Sequence, residues 1–158
     1  MKTILAALAV LMFAAPADAA ERRPFARGSW QTLMQASANK PTVVHFWGLT
    51  CAPCLTELPH WARLAQERPD MRLVMIAADP TPGDPKDLSA TLDRAKLDKV
   101  ESWAFADAFS ERLRFEVDPK WRGAMPRTML IARNGAVTVM TGIADLKTVR
   151  AWLDREAK

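Results

Sequence analysis

An α/β fold with a mixed central sheet flanked by helices is predicted by three observations. Two short apolar runs, residues 42–47 and 71–78, bracket a segment of helical length. That spacing is a βαβ unit, with parallel strands and a right-handed crossover. Two later β-rich runs, residues 127–132 and 137–141, are joined through Asn134-Gly135, a strong signal for a two-residue hairpin. A capped amphipathic segment beginning at Asp145 closes the chain. A βαβ half plus a ββα half makes an α/β sandwich, and 158 residues point to one domain.

The elements follow in order. Residues 20–27 read as a linker before a domain spanning 28–158. Ser29 is suited to cap a first helix running to about residue 38, with Trp30, Leu33, Met34 and Ala38 on one stripe. Pro41 breaks it, and the β-branched and aromatic run 42–47 is a buried strand. A helix over 51–67 comes next. Pro53 lies in its first turn, where a missing N–H costs nothing. Pro59 lies inside it and cannot donate to Leu55, so a kink is expected. After the strand at 71–78, Pro80, Pro82 and Pro85 with Gly83 mark a loop. A weakly amphipathic helix over 86–97, a short strand at 103–106 and a helical turn or two at 110–115 fill the middle. In the last helix Leu146, Val149, Trp152 and Leu153 share a face. Trp47, Trp103 and Trp152 are expected in the core.

Hydrophobic residues make up 49% of the chain, enough for a core that needs no set of disulfides. The net charge of +4 is dispersed, and no basic run carries interleaved aromatics, so nucleic acid is not an expected partner. The N-terminus looks like an export signal. Lys2 precedes an apolar run over 4–15, and Ala17-Asp18-Ala19 fits cleavage after Ala19, giving a signal peptide over 1–19. The run is short for a membrane span, and no other stretch of about 18 apolar residues exists, so a soluble mature protein is expected. Export would bring the chain into an oxidising compartment, where disulfides persist.

Cys51 and Cys54 are the only cysteines. Three roles compete for them. As a staple they would close a very short loop, which stabilises little. As metal ligands they could join His45 and His60 around zinc, but a tetrahedron would need an unexpected fold; a two-thiolate Cu(I) site is easier. As a redox pair they are well placed. A helix N-terminus carries about half a positive charge and favours thiolate at Cys51, with Cys54 one turn on. Cys51 would attack a partner disulfide and Cys54 would resolve the mixed disulfide. A CxxC by itself is weak, but strand-CxxC-helix within a βαβ unit is strong.

The segment FWGLTCAPC resembles the strand-to-active-site segment of the thioredoxin superfamily. Pro59 matches the family's kink proline, Met125-Pro126 followed by Arg127-Thr128 matches its cis-proline segment, and Asn134-Gly135 matches its hairpin. The export signal and the CLTELP continuation narrow the resemblance to periplasmic TlpA/ResA-like thiol–disulfide oxidoreductases, over about residues 28–153. The resemblance implies a thioredoxin-like fold and no cofactor. It also implies a periplasmic reductant, fed by a membrane thiol electron donor and acting on protein disulfide clients such as apocytochrome c or a copper-site protein. A monomer is the default. An oxidase or isomerase of the same fold is the first alternative, and a Cu(I)-binding module using the same two thiolates the second.

Three departures from the family stand out. Thr50 replaces the usual tryptophan before the first cysteine. His45 falls where cytosolic thioredoxins have a buried acid. Arg127 replaces the threonine after the cis proline and would bias the groove toward acidic partners. Glu57 matches a glutamate of ResA-like proteins, and a raised pKa would let it take the Cys54 proton. A solvated helix glutamate is the plain alternative. His45 is either a core histidine or a relay to Cys54, and His60 a helix-surface residue. Pro126 is expected to be cis, leaving the Met125 backbone free to pair with an extended client. Trp121 is a candidate for the groove wall, with core packing the alternative.

Overall fold

The computed structural model describes residues 22–157. The export signal expected over 1–19 lies outside the described residues. In chain order the elements are β1 (Arg23–Phe25), α1 (Ser29–Ala36), β2 (Thr42–Trp47), α2 (Ala52–Glu67), β3 (Arg72–Ala77) and α3 (Pro85–Arg94). They continue with β4 (Glu101–Phe105), α4 (Ser110–Val117), β5 (Arg127–Ile131), β6 (Val137–Thr141) and α5 (Leu146–Glu156).

The six strands form one sheet in the order β1-β4-β3-β2-β5-β6. β2 pairs in parallel with β3, β3 with β4 and β4 with β1. β5 runs antiparallel to β2, and β6 antiparallel to β5. The sheet is therefore mixed, as the two halves of the sequence predict.

Side-chain alternation along β2 splits the core in two. Val43 and Trp47 pack with Cys54, Leu58 and Trp61 of α2, Leu88 and Leu92 of α3, and Val149, Trp152 and Leu153 of α5. Val44 and Phe46 point the other way, to Leu33 of α1 and to Leu113 and Val117 of α4. Both faces of β2 are covered, so every residue of it is buried. His45 shares the α2 side with Val43 and Trp47.

Several local expectations need correction. The segment expected as linker supplies β1, whose Phe25 is fully buried and stacks on Phe105 at 5.3 Å. Three residues forming an edge strand leave too short a pattern to read from sequence. Ser29 does not cap α1. The cap is Gly28 in the left-handed region, and the Ser29 hydroxyl instead accepts the Ala26 N–H at 3.0 Å. α3 starts one residue early, because Asp84 caps it through the Lys86 N–H, and it ends at Arg94, just before Lys96 takes a positive φ. The hairpin is not a two-residue type I′ turn. The Ala132 N–H bonds Ala136 O at 2.8 Å and only Gly135 takes a positive φ, so the connection has three residues with glycine in the left-handed position. Asp145 caps α5 as expected, accepting the Lys147 N–H at 3.0 Å.

Candidate functional site

The C-terminal end of β2 delivers the chain into the N-terminus of α2, and the two cysteines sit at that junction. Cys51 is the N-cap residue, in extended conformation and partly exposed. Cys54 lies in the first turn and is fully buried. They form a disulfide with Cα atoms 5.2 Å apart. The Cys54 N–H points at the Cys51 sulfur at 3.3 Å, so one of the free donors of the helix start is aimed at that atom. Pro53 occupies the first turn without cost, as expected. The helix runs on through Pro59 to Glu67.

The pair is asymmetric for a topological reason. Positions 54, 57, 58, 61 and 62 form the buried stripe of α2, at helical spacing. Residue 51 precedes the helix and stays at the surface. One sulfur thus meets solvent and the other is shielded behind it.

Glu57 stands in the middle of that otherwise apolar stripe and is 4% exposed. The plain alternative of a solvated helix glutamate is wrong, because the i, i+3 offset from Cys54 turns it inward. Its Oε1 accepts the Ala144 N–H at 2.6 Å, from the segment joining β6 to α5. Its Oε2 has no hydrogen-bond partner among the described residues and lies 4.0 Å from His45 Nε2. Burial pushes the carboxyl pKa up, against the smaller opposing pull of the Ala144 N–H. His45 is fully buried, its Nδ1 3.0 Å from the Thr128 hydroxyl and its ring 4.9 Å from that of Trp61. Burial lowers its pKa from 6.5 to about 3, so the imidazole is neutral at physiological pH. The histidine is thus a core residue with a satisfied nitrogen on one side and a carboxyl facing it on the other.

These two shifts have opposite consequences for stability. The depressed His45 contributes stability that is present above pH 6.5 and lost as pH falls toward 3. The raised Glu57 contributes stability that is present below 4.5 and lost as pH rises through its folded value. His45→Phe is expected to flatten the loss of stability between pH 6.5 and pH 3, whereas Glu57→Gln should make stability rise more steeply with pH above 4.5. Urea midpoints at half-unit pH steps check both, and parallel curves for wild type and variants would contradict the assignment.

The Met125-Pro126 bond is cis. Pro126 is buried at the start of β5, beside β2, and its carbonyl accepts the Gly142 N–H at 2.8 Å. Met125 is partly buried and packs against the same core cluster as Cys51.

Two expected docking residues are not available to a client. Arg127 is 6% exposed, because its place on β5 puts its side chain over the Trp121 ring at 5.3 Å. Its guanidinium pairs with Asp118 and donates to the Thr141 hydroxyl at 3.2 Å, so it holds α4 to the hairpin. Trp121 is buried as well. It packs 4.7 Å from Phe46, and its indole N–H donates to Ala124 O at 2.9 Å. Both are packing residues. His60 is exposed on α2, as expected, and among the described residues no three His, Cys, Asp or Glu side chains gather as a metal would need.

Sequence reasoning missed Asp79, Ala144 and Ile143. Asp79 carried a legible signal, since it lies just past the C-terminal end of β3, the parallel strand next to β2, where such sheets place their sites. Ile143 is 67% exposed beside Gly142, an apolar surface residue next to the Pro126 contact. Only the β6–α5 connection brings it there.

No protein-family model matches the chain, and no curated protein matches it. Solved structures do. A secreted Mycobacterium tuberculosis disulfide oxidoreductase, described as homologous to E. coli DsbE, shares 18% identity over 77% of this chain and 85% of its own, with a TM-score of 0.61. Mycobacterium tuberculosis DsbF shares 16% over 77% and 84%, with a TM-score of 0.62. StoA from Bacillus subtilis shares 18% over 73% and 84%, with a TM-score of 0.56. The fold of this chain is thioredoxin-like, and it is shared with these three structures.

Proposed function

We propose that the chain is an exported thiol–disulfide oxidoreductase that reduces disulfides in protein clients. The observation that carries this reading is the asymmetric pair: an exposed cysteine at a helix N-cap, bonded to a buried one a turn later, on a thioredoxin-like fold. The likeness to a secreted disulfide oxidoreductase supports export, and with it a periplasmic site of action.

In the reducing direction the Cys51 thiolate attacks one sulfur of a client disulfide. A Cys51–client bond forms and the first client thiolate leaves. Cys54 then loses its proton and attacks the Cys51 sulfur, releasing the second client thiolate. Two electrons pass from the dithiol to the client, and the Cys51–Cys54 disulfide is what remains. Glu57 is the proton acceptor on this route, directly or through a water, since its Oε2 is buried, unpartnered and a turn from Cys54. The backbone of Met125 holds an extended client by strand pairing. A membrane thiol donor returns the pair to the dithiol, and apocytochrome c or a copper-site protein is the client class. The chain works as a monomer without a cofactor.

The reduction potential tests the direction. Equilibration with a glutathione or dithiothreitol buffer after metal chelation should give a value below about −220 mV, on a scale bracketed by thioredoxin near −270 mV and DsbA near −120 mV. A value above about −150 mV would overturn the reductant and make the protein an oxidase or isomerase. Tight, stoichiometric Cu(I) retention without turnover would instead favour the metal-binding module.

A further inference from the structure

The turn that leads into Cys51 is gripped by a carboxylate for which the exchange chemistry has no use. Asp79 lies two residues past the end of β3 and is 6% exposed. Its Oδ2 accepts the Leu49 N–H at 3.0 Å, and its Oδ1 accepts the Thr50 N–H at 3.3 Å and the Thr50 hydroxyl at 3.1 Å. Gly48 makes the approach sterically open, since a Cβ there would lie 2.5 Å from Asp79 Oδ1. The same loop touches the turn a second time. A Cβ on Gly83 would lie 2.9 Å from Leu49 Cδ1, so the loop backbone rests on that side chain. Pro80, Pro82 and Pro85 stiffen the loop by fixing φ. The turn itself closes with the Cys51 N–H on Gly48 O at 3.3 Å. All three residues before Cys51 are therefore in contact with one short, stiff segment.

We propose that Asp79, seated in the proline-stiffened β3–α3 loop, is a positioning residue that fixes how Cys51 is presented at the N-terminus of α2, through the Gly48–Leu49–Thr50 turn. The inference rests on the exchange reading for its purpose. Thr50 gives the carboxylate a third donor, its hydroxyl. The field of a helix terminus falls off within its first turn, so a small displacement of this turn moves the Cys51 sulfur out of the favourable region. A carboxylate accepting several hydrogen bonds is a strong, charge-assisted anchor against that displacement.

Thr50→Val, Thr50→Ser and Asp79→Asn in the full-length chain test this. After reduction, Cys51 alkylation by iodoacetamide is followed across pH and assigned by peptide mass. Thr50→Val keeps the shape and the charge but loses the hydroxyl donor. It is expected to slow Cys51 alkylation at pH 7 about 3–10-fold and to raise its pH midpoint, the size expected for one ordinary hydrogen bond. Thr50→Ser should restore wild-type behaviour, and Asp79→Asn should slow the reaction more than Thr50→Val. A wild-type profile for Thr50→Val overturns the proposal. So does faster alkylation in Asp79→Asn, which would show a through-space charge instead of a grip. If Asp79→Asn fails to fold, the two Thr50 variants decide alone. Turnover of insulin disulfides by the same samples separates the two claims. No wild-type turnover with an intact Thr50 effect removes the exchange reading and leaves the positioning. Turnover with no Thr50 effect does the reverse.

Discussion

Cys51→Ser is expected to abolish disulfide exchange, and Cys54→Ser to stop it after one step with the client attached. The difference follows from exposure. Cys51 is reachable from solvent and sits at the helix N-cap, while Cys54 is buried behind it. Removing the attacking sulfur leaves no route to a client, because the remaining thiol is shielded. Removing the resolving sulfur leaves the attack intact, so a Cys51–client disulfide accumulates. Loss of a nucleophile whose partner acts in the same unit lowers turnover by several orders of magnitude, about 10⁴-fold or more. Non-reducing gels of Cys54→Ser incubated with an oxidised client read the trapped species directly. Trapping by Cys51→Ser and not by Cys54→Ser would mean that the roles are reversed, and no trapping by either would end the exchange reading.

The second large effect is on stability. Arg127→Met is expected to destabilise the fold by about 3 kcal/mol, the low end of the range for breaking a buried ion pair from one side. The low end applies because Asp118 keeps some contact with water, at 23% side-chain exposure. The loss has three parts: the Asp118 pair, the Thr141 hydrogen bond across the β5–β6 hairpin, and the cation–π contact with Trp121. Adding Asp118→Asn to Arg127→Met should recover part of the loss, since the orphaned carboxylate is then removed. Urea unfolding of the four members of this cycle measures the coupling. If Arg127 faced clients, Arg127→Met would leave the urea midpoint unchanged and weaken only the turnover of acidic clients.

Much of this layout is legible along the chain. Thr42–Trp47 and Val137–Thr141 form the expected strands, and α2 begins and ends within a residue of where the pattern puts it. Long apolar runs, an Asp cap and a proline in a first turn each act within a few residues, so local chemistry decides them. Cys54 and Glu57 also share a helical stripe that spacing reveals. What that stripe faces is a different matter.

By itself, then, the sequence determined the strand–CxxC–helix junction and the mixed α/β order, because each is written in contiguous residues, while the cis Met125-Pro126 bond was legible only through a family resemblance. Tertiary structure alone decided which side chains meet. Arg127 looks like a groove residue until α4 brings Asp118 to it, and Trp121 until Phe46 lies beneath its ring. Glu57 becomes a buried acid only because β2 sets His45 against it and the β6–α5 segment offers it one N–H. Asp79 grips the turn before Cys51 because parallel pairing of β2 and β3 aligns their C-terminal ends and brings Asp79 to Leu49 and Thr50, 30 and 29 residues away in the chain. Burial and pairing are properties of neighbours in space, and no local pattern encodes a neighbour that far away.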